Sequence, residues 1–132
     1  TGYLVSTVQD IVKSNGISTA LLDVSFAAHM PDCLEMPYKP NVFGEVESNQ
    51  NAFTCRLGGN TCLAGDFIGG FHFAKPLEIG DKIVFEDMIN YTMVKTNTFN
   101  GVKLPSIGVI KSNGSFELVK QFGYQDYKSR LS

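Results

Sequence analysis

Apolar positions along this chain come in short β-branched or aromatic runs, and glycine, proline and asparagine separate one run from the next. Punctuation of this kind predicts strands joined by turns, with helix in the minority. Residues 2–12 form a candidate strand, Ser14-Asn15-Gly16 a tight turn and residues 17–24 a second strand. Asn-Gly suits a hairpin because both residues tolerate positive φ. Residues 26–36 are small and apolar without alternation, and Pro31 and Pro37 forbid a long helix there, so a short helical turn or loop is expected. Further strands are expected at 41–46, 53–57, 67–73, 82–86, 106–111 and 115–121, the last pair turned by Asn113-Gly114. Leu57-Gly58-Gly59-Asn60 interrupts the middle of the chain, where no regular element can persist. Only residues 124–131, where aromatic and charged positions mix, predict a terminal helix. Strands at this spacing indicate an all-β domain, a mainly antiparallel barrel or sandwich with a short C-terminal helix.

Composition narrows the function classes. A chain of 132 residues holds one domain with a real core, and 43% hydrophobic with 18% charged residues are globular proportions. The net charge of -2 provides no general field for nucleic acid or anionic lipid, so any partner must be recognised locally. No run approaches the roughly 20 apolar residues of a membrane helix and no signal pattern opens the chain, so a cytoplasmic location is expected. Cys33, Cys55 and Cys62 are odd in number and lack CxxC spacing, against a disulfide framework or structural zinc. The chain starts at Thr1 and enters Tyr3-Leu4-Val5 at once, which suggests a piece of a longer protein.

Three segments could carry chemistry. The loop from Gly58 to Asp66 presents a thiol, Cys62, and a carboxylate, Asp66, four residues apart, and its glycines let backbone approach a ligand. The alternative is that Cys62 is a small buried hydrophobe and Asp66 a turn cap. The second segment, Phe85 to Met93 with Thr98-Phe99-Asn100-Gly101 beyond it, reads as a strand exit followed by a loop. There Tyr91 could offer its phenol to an anion or be a core tyrosine with its hydroxyl at the surface. In the third, Asp23 sits near the end of an apolar strand and either binds a substrate ammonium or is a structural acid satisfied by backbone donors. His29 and His72 stand apart and read as structural. No metal-ligand spacing, phosphate-binding glycine motif or serine-nucleophile elbow is present.

Taken in order, Gly58-Gly59-Asn60-Thr61-Cys62 through Asp66, then Asp87-Met88-Ile89-Asn90-Tyr91-Thr92, then Thr98-Phe99-Asn100-Gly101, resemble the carboxy-terminal domain of the ornithine and diaminopimelate decarboxylase superfamily. Within it, the stretch from Ser25 to Tyr38, with Cys62-Leu63-Ala64-Gly65-Asp66 and Tyr91-Thr92-Met93-Val94-Lys95-Thr96, resembles carboxynorspermidine (carboxyspermidine) decarboxylase over almost the whole chain. The resemblance implies a fold-type III enzyme using pyridoxal 5'-phosphate. It also implies a homodimer, an amino-terminal β/α barrel carrying the Schiff-base lysine, and a carboxy-terminal β barrel completing the site across the interface. This chain, residues 1–132, would be the second part only, inactive alone. By position in the motifs, Tyr91 would reach the cofactor phosphate, Cys62 the reacting carbon and Asp23 the distal amine of a carboxylated polyamine, with Asp66 supporting the site.

Two departures bear on these roles. Asn60 stands where the family usually has proline, which is expected to loosen the loop that aims Cys62. Leu63 stands where ornithine-specific members carry an acid, which favours a longer substrate such as carboxynorspermidine or carboxyspermidine; Glu35 is an acid that could compensate. The alternatives are a diaminopimelate- or ornithine/arginine-type decarboxylase of the same superfamily, and a non-catalytic β-barrel binding or dimerisation module.

Overall fold

The first hairpin forms where the Asn-Gly pair dictates. In the computed structural model, which describes residues 2–131, Asn15 and Gly16 take φ of 51° and 76°. They join β1 (Leu4–Ser14) to β2 (Ile17–Leu22) with Ser14 opposite Ile17. β1 therefore lies two residues beyond the expected 2–12, and β2 stops two short of Val24. Asp23 ends the second strand by sending its N–H to the Thr7 carbonyl at 3.2 Å, while the Val24 carbonyl turns to the Asn60 N–H at 3.1 Å.

A five-stranded sheet is built on this hairpin in the order β4-β3-β2-β1-β5, with β3 at Phe53–Gly58, β4 at Phe67–Phe73 and β5 at Lys82–Phe85. A register shift between Val8 and Asp10 bends β1, so that Leu4–Thr7 pair with β5 while Val8 onward pairs with β2. All pairings are antiparallel except β2 with β3. A parallel neighbour demands a long crossover. Residues 23–52 supply it, and they carry two short helices, α1 (Phe26–His29) and α2 (Pro31–Glu35). Ser25 caps α1 by accepting the Ala28 N–H at 3.0 Å, and Pro31 opens α2, where its missing N–H costs nothing.

Residues 41–46 are not the strand expected of them. The Phe43 N–H reaches the Val84 carbonyl beside β5, the Glu86 N–H reaches the Asn41 carbonyl, and the Val46 N–H reaches the His72 carbonyl in β4. The segment thus ties together the two edges of the curled sheet, crossing from one to the other at Gly44, whose φ of 82° breaks any regular strand. Edges that would otherwise be open are partly occupied by the chain itself.

Period-two alternation places one face inside. Ser6 and Val8, Ala20 and Leu22, Cys55 and Leu57, Phe71 and Phe73, and Ile83 and Phe85 all point inward from their strands. Phe26 of α1 meets Phe85 edge-on at 5.7 Å between centroids, so the short helices are clamped to the sheet by the core.

The last strands, β6 (Ile107–Ile110) and β7 (Phe116–Lys120), form a separate two-stranded hairpin, and α4 (Tyr124–Leu131) ends the described chain. Both strands and the helix fall within the expected bounds. Gly108 makes room for the Phe116 ring, which would lie 2.3 Å from any Cβ there. Among the described residues no helix is long and apolar enough to cross a membrane.

Candidate functional site

Asp66 holds the glycine-bounded loop from the inside. It is buried, and its carboxylate receives the Ser25 hydroxyl at 2.8 Å, the Ala27 N–H at 3.0 Å and the Thr61 hydroxyl. Its carbonyl accepts the Gly59 N–H at 2.7 Å. A Cβ on Gly59 would lie 2.4 Å from that carboxylate, so glycine is required by close approach. One acid therefore joins the loop to the start of α1, and its inward geometry is that of a structural anchor.

Cys62 stands on the outer side of the same loop, exposed, which sets aside the reading of it as a buried hydrophobe. Its Sγ accepts a hydrogen bond from Asn100 Nδ2 at 3.1 Å. Asn100 belongs to a 3-10 turn at Phe99–Gly101 and holds φ of 57°, a left-handed conformation that asparagine tolerates better than most residues. That turn is in turn fixed to α1: Asn97 sends its N–H to the Ala28 carbonyl at 2.8 Å and its amide to the Ala27 carbonyl at 3.1 Å. A closed ring of hydrogen bonds thus runs from the Cys62 loop through Asp66 to α1, through Asn97 to Asn100, and back to the sulfur.

Asn60 does not loosen this loop, contrary to the expectation from the missing proline. Its N–H binds the Val24 carbonyl and its side-chain amide binds the Asp23 carbonyl at 3.3 Å. Proline could make neither bond, so the departure ties the loop to the exit of β2.

Asp23 lies just past β2 and is exposed. Its Oδ1 accepts the Ser6 hydroxyl at 2.8 Å and the Thr7 N–H at 2.9 Å, which orients the carboxylate; among the described residues no hydrogen bond reaches Oδ2. The side chain is a satisfied structural acid on one oxygen and an open acceptor on the other.

Tyr91 is 73% exposed, which removes the core-tyrosine reading. It opens a four-residue helix, α3 (Tyr91–Val94), where a loop was expected. Thr92, the buried residue of α3, donates its hydroxyl to Asp32 Oδ2 at 2.8 Å, and the Tyr38 hydroxyl donates to the same oxygen. Lys95 pairs with Glu35 across the same helices. Leu63 itself is exposed beside Cys62.

The electrostatics follow from burial. His29 is pushed below its ordinary range by burial, against the opposing pull of the Lys103 carbonyl, Asp66 and Asp23. Its Nδ1 accepts the Ser25 N–H at 3.1 Å, so a neutral ring carries its proton on Nε2. Burial pushes the Cys33 and Cys55 thiols up, and burial together with the hydrogen bond to Asp32 raises Tyr38. The hydrogen bond to Glu35 raises Lys95. Among the described residues no group of three or more His, Cys, Asp or Glu is placed to hold a metal.

Three segments distant in sequence, 23–29, 59–66 and 91–101, are thus gathered around α1 and α2. The sequence pattern singled out Asp23, Cys62, Asp66 and Tyr91, took Asn60 for a loosening departure, and missed the part that Thr92, Asn97 and Asn100 play in holding these segments. Of these only Asn100, followed by glycine, carried a local signal, the Asn-Gly preference for left-handed backbone.

This sheet, with its loops gathered at the crossover helices, is that of the pyridoxal-dependent decarboxylases: the chain belongs to the family described as pyridoxal-dependent decarboxylase, C-terminal sheet domain, whose model matches residues 1–89. More particularly, the chain is 55% identical over 131 residues to carboxyaminopropylagmatine decarboxylase of Synechocystis, covering 99% of this chain and 34% of that protein. It is 43% identical over 141 residues to carboxynorspermidine/carboxyspermidine decarboxylase of Campylobacter jejuni, covering 98% of this chain and 37% of that one. The crystal structure of C. jejuni carboxynorspermidine decarboxylase with norspermidine superposes with a TM-score of 0.94 at 42% identity, over 98% of this chain and 38% of that one. A diaminopimelate decarboxylase from M. jannaschii, at 18% identity and a TM-score of 0.79 over 97% of this chain and 29% of that one, shares the fold. The chain spans about a third of the length of the curated relatives it matches.

Proposed function

We propose that this chain is the carboxy-terminal β domain of a pyridoxal 5'-phosphate-dependent decarboxylase that removes the α-carboxylate of carboxynorspermidine or carboxyspermidine in polyamine synthesis. The observation that carries this reading is Cys62: an exposed thiol on a loop anchored from beneath by Asp66 and steered from the side by Asn100. Rigid support under an exposed reactive group is what proton transfer at a fixed carbon requires. In this reading Cys62 returns a proton to the carbon that has lost its carboxylate. Tyr91 donates its hydroxyl to the cofactor phosphate, and Asp23 receives the distal ammonium on Oδ2. Leu63 offers an apolar neighbour to a methylene chain, where an acid would instead favour a short diamine.

The residues fit part of the cofactor's needs: Tyr91 supplies an exposed donor suited to a phosphate, while Asp66 is consumed inward and supports rather than contacts. When bound, the group supplies an electron sink for loss of the carboxylate. Its lysine belongs to an amino-terminal β/α barrel outside this chain, and the working unit is a cytoplasmic homodimer in which this domain completes the partner's site. The apolar exposure of Ile110, Phe116 and Leu118, which share one side of the β6–β7 pair, supports such a covered face.

A second reading is favoured by the 55% identical relative, namely that the substrate is carboxyaminopropylagmatine, whose distal end is a guanidinium. Both readings share the carboxyaminopropyl head. Steady-state carbon dioxide release by the full-length protein separates them when carboxynorspermidine, carboxyspermidine, carboxyaminopropylagmatine, ornithine and diaminopimelate are compared. A kcat/KM highest for ornithine or diaminopimelate would overturn the proposal; a preference for the guanidinium substrate would select the second reading.

A further inference from the structure

We infer that Thr92 and Asp32 form a clamp that positions Tyr91 for the cofactor phosphate, an inference that rests on the phosphate role proposed for Tyr91. α3 has little means of holding its own place. Tyr91, Met93 and Val94 are exposed, and the N-cap residue Asn90 makes no side-chain capping bond. The flanking chain is secured at Met88, which enters the core, and at Asn97, which binds α1. Between these two points the buried attachment of α3 is the Thr92 hydroxyl on Asp32 Oδ2 at 2.8 Å. Asp32 is itself 3% exposed and fixed in α2, and Tyr38 donates to the same oxygen. The Lys95–Glu35 pair, by contrast, is exposed and contributes little.

A buried hydrogen bond to a carboxylate is stronger than a neutral one and is directional. It therefore fixes the rotation of α3 about its axis, and with it the direction in which the adjacent Tyr91 leaves the helix. Thr92 touches neither substrate nor cofactor in this account; it acts through Tyr91, and is a positioning residue.

The test compares two probes, pyridoxal 5'-phosphate and phosphate-free pyridoxal, titrated against the full-length protein by absorbance. Thr92→Val keeps the shape of the side chain and removes its hydroxyl. It is expected to weaken pyridoxal phosphate by about five- to tenfold while leaving pyridoxal within about twofold, the size of one charge-assisted bond acting at second hand. Thr92→Ser restores the hydroxyl and is expected to restore the affinity. In a Tyr91→Phe background, Thr92→Val is expected to add no further loss, because the clamp has nothing left to aim.

Equal weakening of both probes, or full additivity with Tyr91→Phe, overturns the clamp while leaving the phosphate role of Tyr91 standing. A Tyr91→Phe protein that binds pyridoxal phosphate as the wild type does overturns the phosphate role and the clamp with it. Should Thr92→Val prevent folding, Thr92→Ala, which removes the hydroxyl without setting a methyl against the Asp32 carboxylate, is expected to give the same discrimination between probes. Its failure to discriminate overturns the clamp equally.

Discussion

The five-stranded sheet and the β6–β7 hairpin use the same kind of residue to opposite ends. In the sheet, each strand buries alternate positions over part of its length, and Phe71 and Phe85, with Phe26 of α1, are wholly enclosed. In the hairpin, all of β7 is exposed, and so is β6 apart from the partly buried Ile107, although their side chains include isoleucine, valine, leucine and phenylalanine. A two-stranded ribbon is marginal by itself. The sheet carries its stability within the chain, whereas the hairpin presents apolar surface that gains its value only when something covers it. The site residues lie with the first region: their loops are fastened to α1 and α2, which the core clamps. On the proposed function, chemistry is placed on the self-supporting part, and the tail is left for assembly.

The sharpest way to break this contrast is in the core. Phe85→Ala removes the wholly buried ring that meets Phe26, and is expected to cost about 3–5 kcal/mol in urea unfolding. A loss below about 1 kcal/mol would mean that the sheet is not the stabilising region.

Next in size comes Asp66→Ala, which leaves Ser25, Ala27 and Thr61 donors without their acceptor. About 2–3 kcal/mol is expected, with faster hydrogen exchange confined to residues around Cys62 and α1. Exchange that accelerates only in the hairpin would contradict the link between loop and helix.

A smaller, pH-dependent effect belongs to His29. Its folded pKa is depressed, so below about pH 6.5 the unfolded chain takes up a proton that the folded state resists. The stability is complete above that pH and is lost as the pH falls toward the folded pKa. His29→Asn, which keeps an acceptor near Nδ1 but does not titrate, is expected to flatten the urea midpoint against pH over this window. An unchanged slope would assign it to other groups.

The least effect on the chain itself is expected in the hairpin. Ile110→Ser and Leu118→Ser should each change its unfolding free energy by less than about 0.5 kcal/mol, because both side chains are already in water. In the full-length protein the same substitutions should weaken the dimer in sedimentation at low concentration. No change in assembly would remove the hairpin's proposed role.

The strand pattern and the terminal helix were legible because turn chemistry is local: Asn15-Gly16 and Asn113-Gly114 announce their hairpins without reference to the rest of the chain. Residues 41–46 were not, since their β-like composition serves two edges that only the curled sheet brings within reach. The parallel pairing of β2 with β3 was equally hidden, because it depends on where the 23–52 crossover delivers the chain. At the site, Cys62 and Tyr91 stood out by motif resemblance. Thr92 and Asp32 did not, being sixty residues apart and joined only by the packing of α3 on α2. Asn60 was misread because a motif departure was judged by the proline it lacks rather than by the two donors it adds.

Whether the anchored loop exists to aim a thiol is decided by one substitution in the full-length protein, Cys62→Ala, followed on the same preparation by thermal melting and by carbon dioxide release. Cys62 is exposed and its removal leaves no core cavity, so the melting temperature is expected to stay within about 2 °C, while turnover falls by about a hundredfold or more if the thiol returns the proton. Turnover that survives, whether or not the melting point falls, would contradict the account.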